Sequence, residues 1–232
     1  MFKYLIIFSI LSIGLTNAAV IWTGDSNSDI FDGANYNGLP GGLELGPNVT
    51  ISDNITFNNA TVTIPQVTGQ QRLQVGSGFV VTVNGSNISL SGGSNDGFGG
   101  APGSSLPNGN AGPTLDIIGG SQFEAFFIVN GVNMNVDGTS SATLAGAGNP
   151  VNISTINLET GATLSFTRET IPQFNTEHLS KLTINGLAAQ EGVNYTIDAL
   201  GTTGSIITAI PEPSVSLFGA LGCALLLLRR RR

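Results

Sequence analysis

The chain has 232 residues, enough for one good-sized domain with its own core, yet only 10% of them are charged and 32 are glycine. Residues 19–210 hold three bases, Arg72, Arg168 and Lys181, against fourteen acids, a segregation that the net charge of −7 conceals. So acidic a body excludes nucleic acid as a partner, and a lone cysteine, Cys223, excludes a disulfide framework or a thiolate metal cluster within one chain.

The first segment reads MFKYLIIFSILSIGLTNAAV. Lys3, an apolar stretch over 5–15 and then Thr16-Asn17-Ala18 supply the charged, apolar and small-residue regions of a secretory signal peptide. Eleven apolar residues span roughly 16 Å as a helix, well short of a ~30 Å hydrocarbon core. Residues 1–18 are therefore expected to form a signal helix cleaved after Ala18.

Residues 19–48 read as an N-terminal cap. Trp22-Thr23-Gly24, Ala34-Asn35-Tyr36 and Gly38-Leu39-Pro40 resemble the opening of many exported bacterial β-solenoid proteins, with Tyr36 where tryptophan is usual. The resemblance implies that Trp22 and Tyr36 cover the open end of the core. The same stretch offers Asp25, Asn27, Asp29 and Asp32, hard oxygen donors suited to calcium. As an EF-hand loop it is wrong, because Ile30 takes the glycine position and Tyr36 that of the bidentate glutamate. No cofactor is expected, and these four residues are only weak calcium candidates.

From residue 49 to 179 short alternating segments such as VTISDNITF, RLQVGSGFVVTV and STINLETGATLSF are interrupted by Gly, Asn and Asp. The class is all-β with little helix. Leu73-x-Val75-x-x-Gly78-x-x-Val81 recurs from Leu115 with Gly120 and Phe123, and from Ile156 with Gly161 and Leu164. A fourth copy runs from Val49 through Ile51 to Phe57, with Asn54 in the glycine place, where positive φ would suit it. Spacings of 42 and 41 residues, near twice ~21, point to a right-handed parallel β-solenoid, with a β-sandwich or jelly roll as the alternative. Residues 91–113, rich in glycine and proline, are expected to leave the scaffold as a mobile excursion.

Chemistry is sparse. His178 is the only histidine, too few for a nucleophilic triad or a histidine-rich metal site, and reads as an exposed turn residue. Glu159, Glu169, Glu177 and Glu191 could serve glycan cleavage, with Arg168 beside them, but nothing in the sequence places two carboxylates together. No catalytic residue is assigned. Phe79, Phe98 and Phe166 are the aromatics considered as sugar platforms.

Residues 180–210 depart from the repeat and read as a closing β cap. The tail, 211–232, runs PEPSVSLFGALGCALLLLRRRR. Its apolar run at 215–228 is roughly 21 Å of helix, short for an anchor but extended by arginines that can snorkel. Pro211, Glu212 and Pro213, the short transmembrane helix and Arg229, Arg230, Arg231 and Arg232 together resemble the PEP-CTERM sorting signal of Gram-negative bacteria. The resemblance implies export and recognition by an exosortase, a membrane-embedded protease encoded beside exopolysaccharide and biofilm genes. It also implies a place in the cell envelope, on the cell surface or outside the cell, with a membrane anchor that is either transient or retained.

The expected role is structural or adhesive, in association with exopolysaccharide or other surface proteins; the alternative is a polysaccharide-degrading lyase or hydrolase on a β-helix. Replacing Pro211, Glu212 and Pro213 with alanine is expected to stop tail removal. The mass of the C-terminus reports it, and unchanged processing would remove the sorting assignment.

Overall fold

The computed structural model describes residues 19–39, 45–64, 71–91, 96–101 and 112–212. The signal segment with Ala18 and the tail from Pro213 onward, including its apolar run and four arginines, lie outside the described residues.

Short strands dominate, starting with β1 (Val20–Trp22) and β2 (Tyr36–Asn37). The chain then passes five times through three sheets in one fixed order. The first circuit is β3 (Thr50–Ile51), β4 (Ile55–Asn58) and β5 (Thr61–Thr63). The second is β6 (Arg72–Val75), β7 (Val80–Asn84) and β8 (Asn87–Leu90). The third is β9 (Gly97–Gly100), β10 (Thr114–Ile118) and β11 (Gln122–Ala125). The fourth is β12 (Phe127–Val129), β13 (Asn133–Val136) and β14 (Ser141–Leu144). The fifth is β15 (Val151–Asn152), β16 (Thr155–Leu158) and β17 (Thr163–Phe166).

The leading strands of the circuits make a five-stranded sheet; the second and third strands enter sheets of nine and seven. Neighbouring circuits pair in parallel throughout. Antiparallel pairs stand only at the ends, where β1 meets β2 and where the closing strands join. Those closing elements are a helix, α1 (Ile171–Glu177), then β18 (Leu182–Ile184), β19 (Leu187–Ala188), β20 (Tyr195–Leu200) and β21 (Gly204–Ala209).

Alternation places one residue in two inside, and the parallel register stacks like on like. Ile55, Val81, Leu115, Met134, Ile156 and Leu182 form one buried column, at steps of 26, 34, 19, 22 and 26 residues. Each such side chain contributes about 1.5–3 kcal/mol on burial. The uneven steps explain the imperfect repeat. Its copies at Val49 and Leu73 lie on the five-stranded sheet, whereas those at Leu115 and Ile156 lie one sheet further on. The copy between them, at Met134, lacks a glycine in the expected place and passes unnoticed in the sequence.

Gly78, Gly120 and Gly161 turn corners at φ of +81°, +77° and +99°. Asn54 does not join them: it is absent from the positive-φ residues, and its side-chain oxygen instead accepts from the Val80 N–H at 2.8 Å. A column of buried serines fills the corner that leads from the nine-stranded to the seven-stranded sheet. The Ala60 N–H donates to Ser86 Oγ at 2.9 Å, Ser86 N–H to Ser121 Oγ at 3.0 Å and Ser121 N–H to Ser140 Oγ at 3.0 Å. Each hydroxyl satisfies an N–H that the turn takes out of the ladder, where an orphan would cost about 1–3 kcal/mol.

A further expectation is corrected. Residues 91–113 are not wholly an excursion, because Gly97–Gly100 is a fully buried strand between β6 and β12. Its backbone hydrogen bonds come from the ladder, so alternation of side chains is not needed to hold it. The seven-residue helix α1 agrees with an all-β class with little helix, though strand periodicity hides where it lies. Its start is nonetheless written in the chain: Gln173 Oε1 accepts from Thr170 N–H at 2.9 Å and Thr170 Oγ1 at 2.7 Å, and a proline occupies the first turn.

Candidate functional site

The sequence candidates are scattered by the fold. At the N-terminal end, Trp22 and Tyr36 meet edge to face at 4.9 Å and both pack on Phe57. The Tyr36 hydroxyl donates to the Ile30 carbonyl at 2.7 Å. Three of the four calcium candidates, Asn27, Asp29 and Asp32, are spent on their own loop. Asp32 accepts from Ser26, Asn27 and the Ala34 N–H, while Asn27 Oδ1 accepts from Asp29 N–H and Asn35 Nδ2. Those bonds hold Asp32 below the usual carboxylate range, the Ala34 N–H being the largest cause. Asp25, Asp29 and Asp32 do not form a three-donor cluster. Pro211 and Glu212 are exposed at the C-terminal limit of the described residues.

The sugar-platform reading of Phe98 and Phe166 is overturned, since both are 0% exposed. Phe98 stands between glycines in a strand buried along its whole length; Phe79 is half-buried and packs against the core. The aromatic pair that sequence reasoning missed is Phe126 and Phe127, both half-buried, with ring centroids 6.5 Å apart.

These rings stand beside a shallow groove on the outer face of the five-stranded sheet. Arg72, Phe127, Val129, Gly148, Asn149 and Asn152 line it. Register explains the composition: Arg72, Gly97 and Phe127 lie abreast on β6, β9 and β12. The glycines of β9 let its neighbours approach too closely for a side chain there. A Cβ added at Gly99 would sit 3.0 Å from Val129 Cγ2 and 3.9 Å from Arg72 Cδ. Arg72 Nε has no hydrogen-bond partner. Lys181 Nζ donates to Asn149 Oδ1 at 2.7 Å and to the Val151 carbonyl at 2.6 Å. The Arg168 guanidinium lies 5.7 Å from the Phe126 ring centroid. Arg72 thus lines the groove beside Phe127, Lys181 is bonded to its Asn149, and Arg168 sits against the neighbouring ring of Phe126.

Behind the groove the fold brings together three side chains that the sequence kept apart. Donor atoms of Glu169, Glu177 and His178 all lie within 4.8 Å of one another, the one such cluster among the described residues. Glu169 is 0% exposed; its Oε1 accepts from the Gly148 N–H at 2.7 Å, and its Oε2 has no partner. His178 is not the exposed turn residue expected. It caps the C-terminus of α1, is 2% exposed, and its ring stacks on Phe166 at 5.0 Å with 3° between planes. Neither ring nitrogen has a hydrogen-bond partner. Burial first, and then the Lys181 charge, lower the His178 pKa to about 4, so the imidazole is neutral at pH 7. Burial pushes the Glu169 carboxyl up; the Gly148 N–H opposes this and the Glu177 charge adds to it. Glu159 and Glu191 are exposed and take no part in the cluster.

Among the described residues no helix is long and apolar enough to cross a membrane. A scan against protein-family models finds no match, and searches of curated proteins and of solved structures find none either.

Proposed function

We propose that this is an exported protein of the cell envelope or extracellular matrix. It is sorted through its PEP-CTERM tail, and its body is a right-handed parallel β-solenoid that acts as a structural and adhesive element on exopolysaccharide. The fixed order in which the chain visits three sheets, with parallel pairing between circuits, supports the solenoid over an antiparallel sandwich. The groove that Arg72 lines beside Phe127, with Lys181 bonded to its Asn149, is the observation that carries the binding reading. An acidic sugar would set its carboxylate against Arg72 and its apolar ring face on Phe127, while Asn149 and Asn152 meet its hydroxyls. Elsewhere the outer faces carry polar ladders, such as Asn135 to Asp116 at 2.8 Å and Thr155 to Asn133 at 2.9 Å. These suit a protein that lies along a hydrated polymer.

The test is co-sedimentation of the protein with the exopolysaccharide of its own source, reading bound protein and polymer length together. The parent protein is expected to pellet with polymer of unchanged length. Arg72→Ala and Phe127→Ala are each expected to weaken binding about tenfold, in line with the ~1–3 kcal/mol carried by stacked and charge-assisted contacts. A parent protein that stays in the supernatant would sink the adhesive reading. Shortening of the polymer would instead favour the degrading enzyme, for which the Glu169–Glu177 proximity is the one favourable observation. Against it stands the full burial of Glu169, which no polymer reaches in this conformation.

A further inference from the structure

We infer that Glu169, Glu177 and His178 bind a divalent first-row transition metal of the zinc class, pinning α1 to the end of the fifth circuit. Three facts converge on it. Two carboxylates and an imidazole offer donor atoms within 4.8 Å of one another. Both fully enclosed members are left unsatisfied, Glu169 at Oε2 and His178 at both nitrogens. Such atoms are seldom left without a partner in a protein interior, and an ion would satisfy Glu169 Oε2 and one of the two His178 nitrogens. The third member, Glu177, is exposed and gives an ion a route in from solvent.

The donor set selects the class of ion. Calcium and magnesium want oxygen alone, whereas an imidazole with carboxylates suits zinc and its neighbours. Zinc bonds of ~2.0–2.1 Å place tetrahedral ligands roughly 3.4 Å apart, so a spread of up to 4.8 Å closes by about an ångström of side-chain movement. The second shell is partly built. The Gly148 N–H holds Glu169 at 2.7 Å, and the Phe166 ring, stacked on His178, fixes the plane of the imidazole. Lys181 stands near with its ammonium committed to Asn149 and Val151. Its positive charge offsets one of the two carboxylates, so the ion enters a site of modest negative charge and depends on direct ligation rather than on field.

The groove reading and this one are independent: polymer can bind without the metal, and the metal without polymer. The experiment is calorimetric titration of the chelator-stripped full chain with Zn²⁺ alone, followed by Co²⁺ in its place. One equivalent of zinc is expected per chain, with a rise in unfolding temperature on loading. Cobalt is expected to give visible absorption bands of a low-coordinate site with a nitrogen donor. Glu177→Gln, an exposed change that leaves the core intact, is expected to weaken zinc at least about tenfold, and His178→Gln about a hundredfold. The proposal is overturned by no saturable zinc binding up to millimolar concentration, or by Glu177→Gln binding as tightly as the parent. It is equally overturned if Ca²⁺ binds as well as Zn²⁺, since that would leave the imidazole without a role.

Discussion

Gly97→Ala is expected to lower the stability of the protein by about 3 kcal/mol, near the upper end for an overpacked interior. The cause is backbone against backbone. An added Cβ at Gly97 would stand 2.1 Å from the Phe127 carbonyl oxygen, with the Phe127 carbonyl carbon at 3.0 Å. No rotamer relieves such a contact, so β9 and β12 must part and give up the ladder bonds between them. For a domain of this size the loss corresponds to a fall of roughly 6–12 °C in Tm. Gly46→Ala is the control: its new methyl would meet only Val49 Cγ2 at 3.6 Å, an ordinary contact, and should change stability by less than about 0.5 kcal/mol. Equal Tm values for Gly97→Ala and the parent would mean that the third circuit is not packed as described. Because Phe127 also faces the groove, Gly97→Ala should weaken polymer binding alongside stability.

Phe174→Ala should be costlier still, at about 3–5 kcal/mol. Phe174 is the buried residue of α1, 0% exposed, with Phe166 at 5.7 Å, His178 at 6.4 Å and Tyr195 at 6.5 Å between ring centroids. A helix of seven residues has little stability of its own. Its place over the end of the fifth circuit depends on this one ring, and without it the apolar ends of β17 and β21 meet water. The measurement is urea unfolding in the presence of chelator, so that bound metal does not add to either protein. Phe174→Leu keeps most of the apolar volume and should lose only about 1 kcal/mol. A parent-like midpoint for Phe174→Ala would show that α1 is not what closes this end.

Much of the fold could be read before any coordinate. Alternation of apolar and polar residues in segments such as RLQV, TLDII and TINL announces strands, because a strand exposes one face and buries the other. Corner glycines at 78, 120 and 161 were equally visible, since positive φ is cheap only for residues without a Cβ. Where alternation failed, reading failed with it. GFGG carries one inward ring and three glycines, a composition that belongs to loops unless neighbouring strands supply its ladder. In Thr170-Ile171-Pro172-Gln173 the helix signal was present but short, and a single buried ring in seven residues leaves no stripe to detect.

The candidate sites followed a different rule. Composition alone determined that bases in the body are scarce and that one cysteine is too few for a disulfide or a thiolate cluster within one chain, because those are properties of counts. The expectation that the two ends are sorting signals rests on local sequence patterns alone. Only tertiary structure decided that Arg72, Gly97 and Phe127 lie abreast, though 25 and 30 residues separate them. It alone buried His178 against Phe166 and brought Glu169 beside it from the far end of α1. The physical reason is register. A circuit that varies between 19 and 34 residues carries no fixed period to extrapolate, so which side chains become neighbours is settled by the register of each circuit on the next, and register is a property of the packed core.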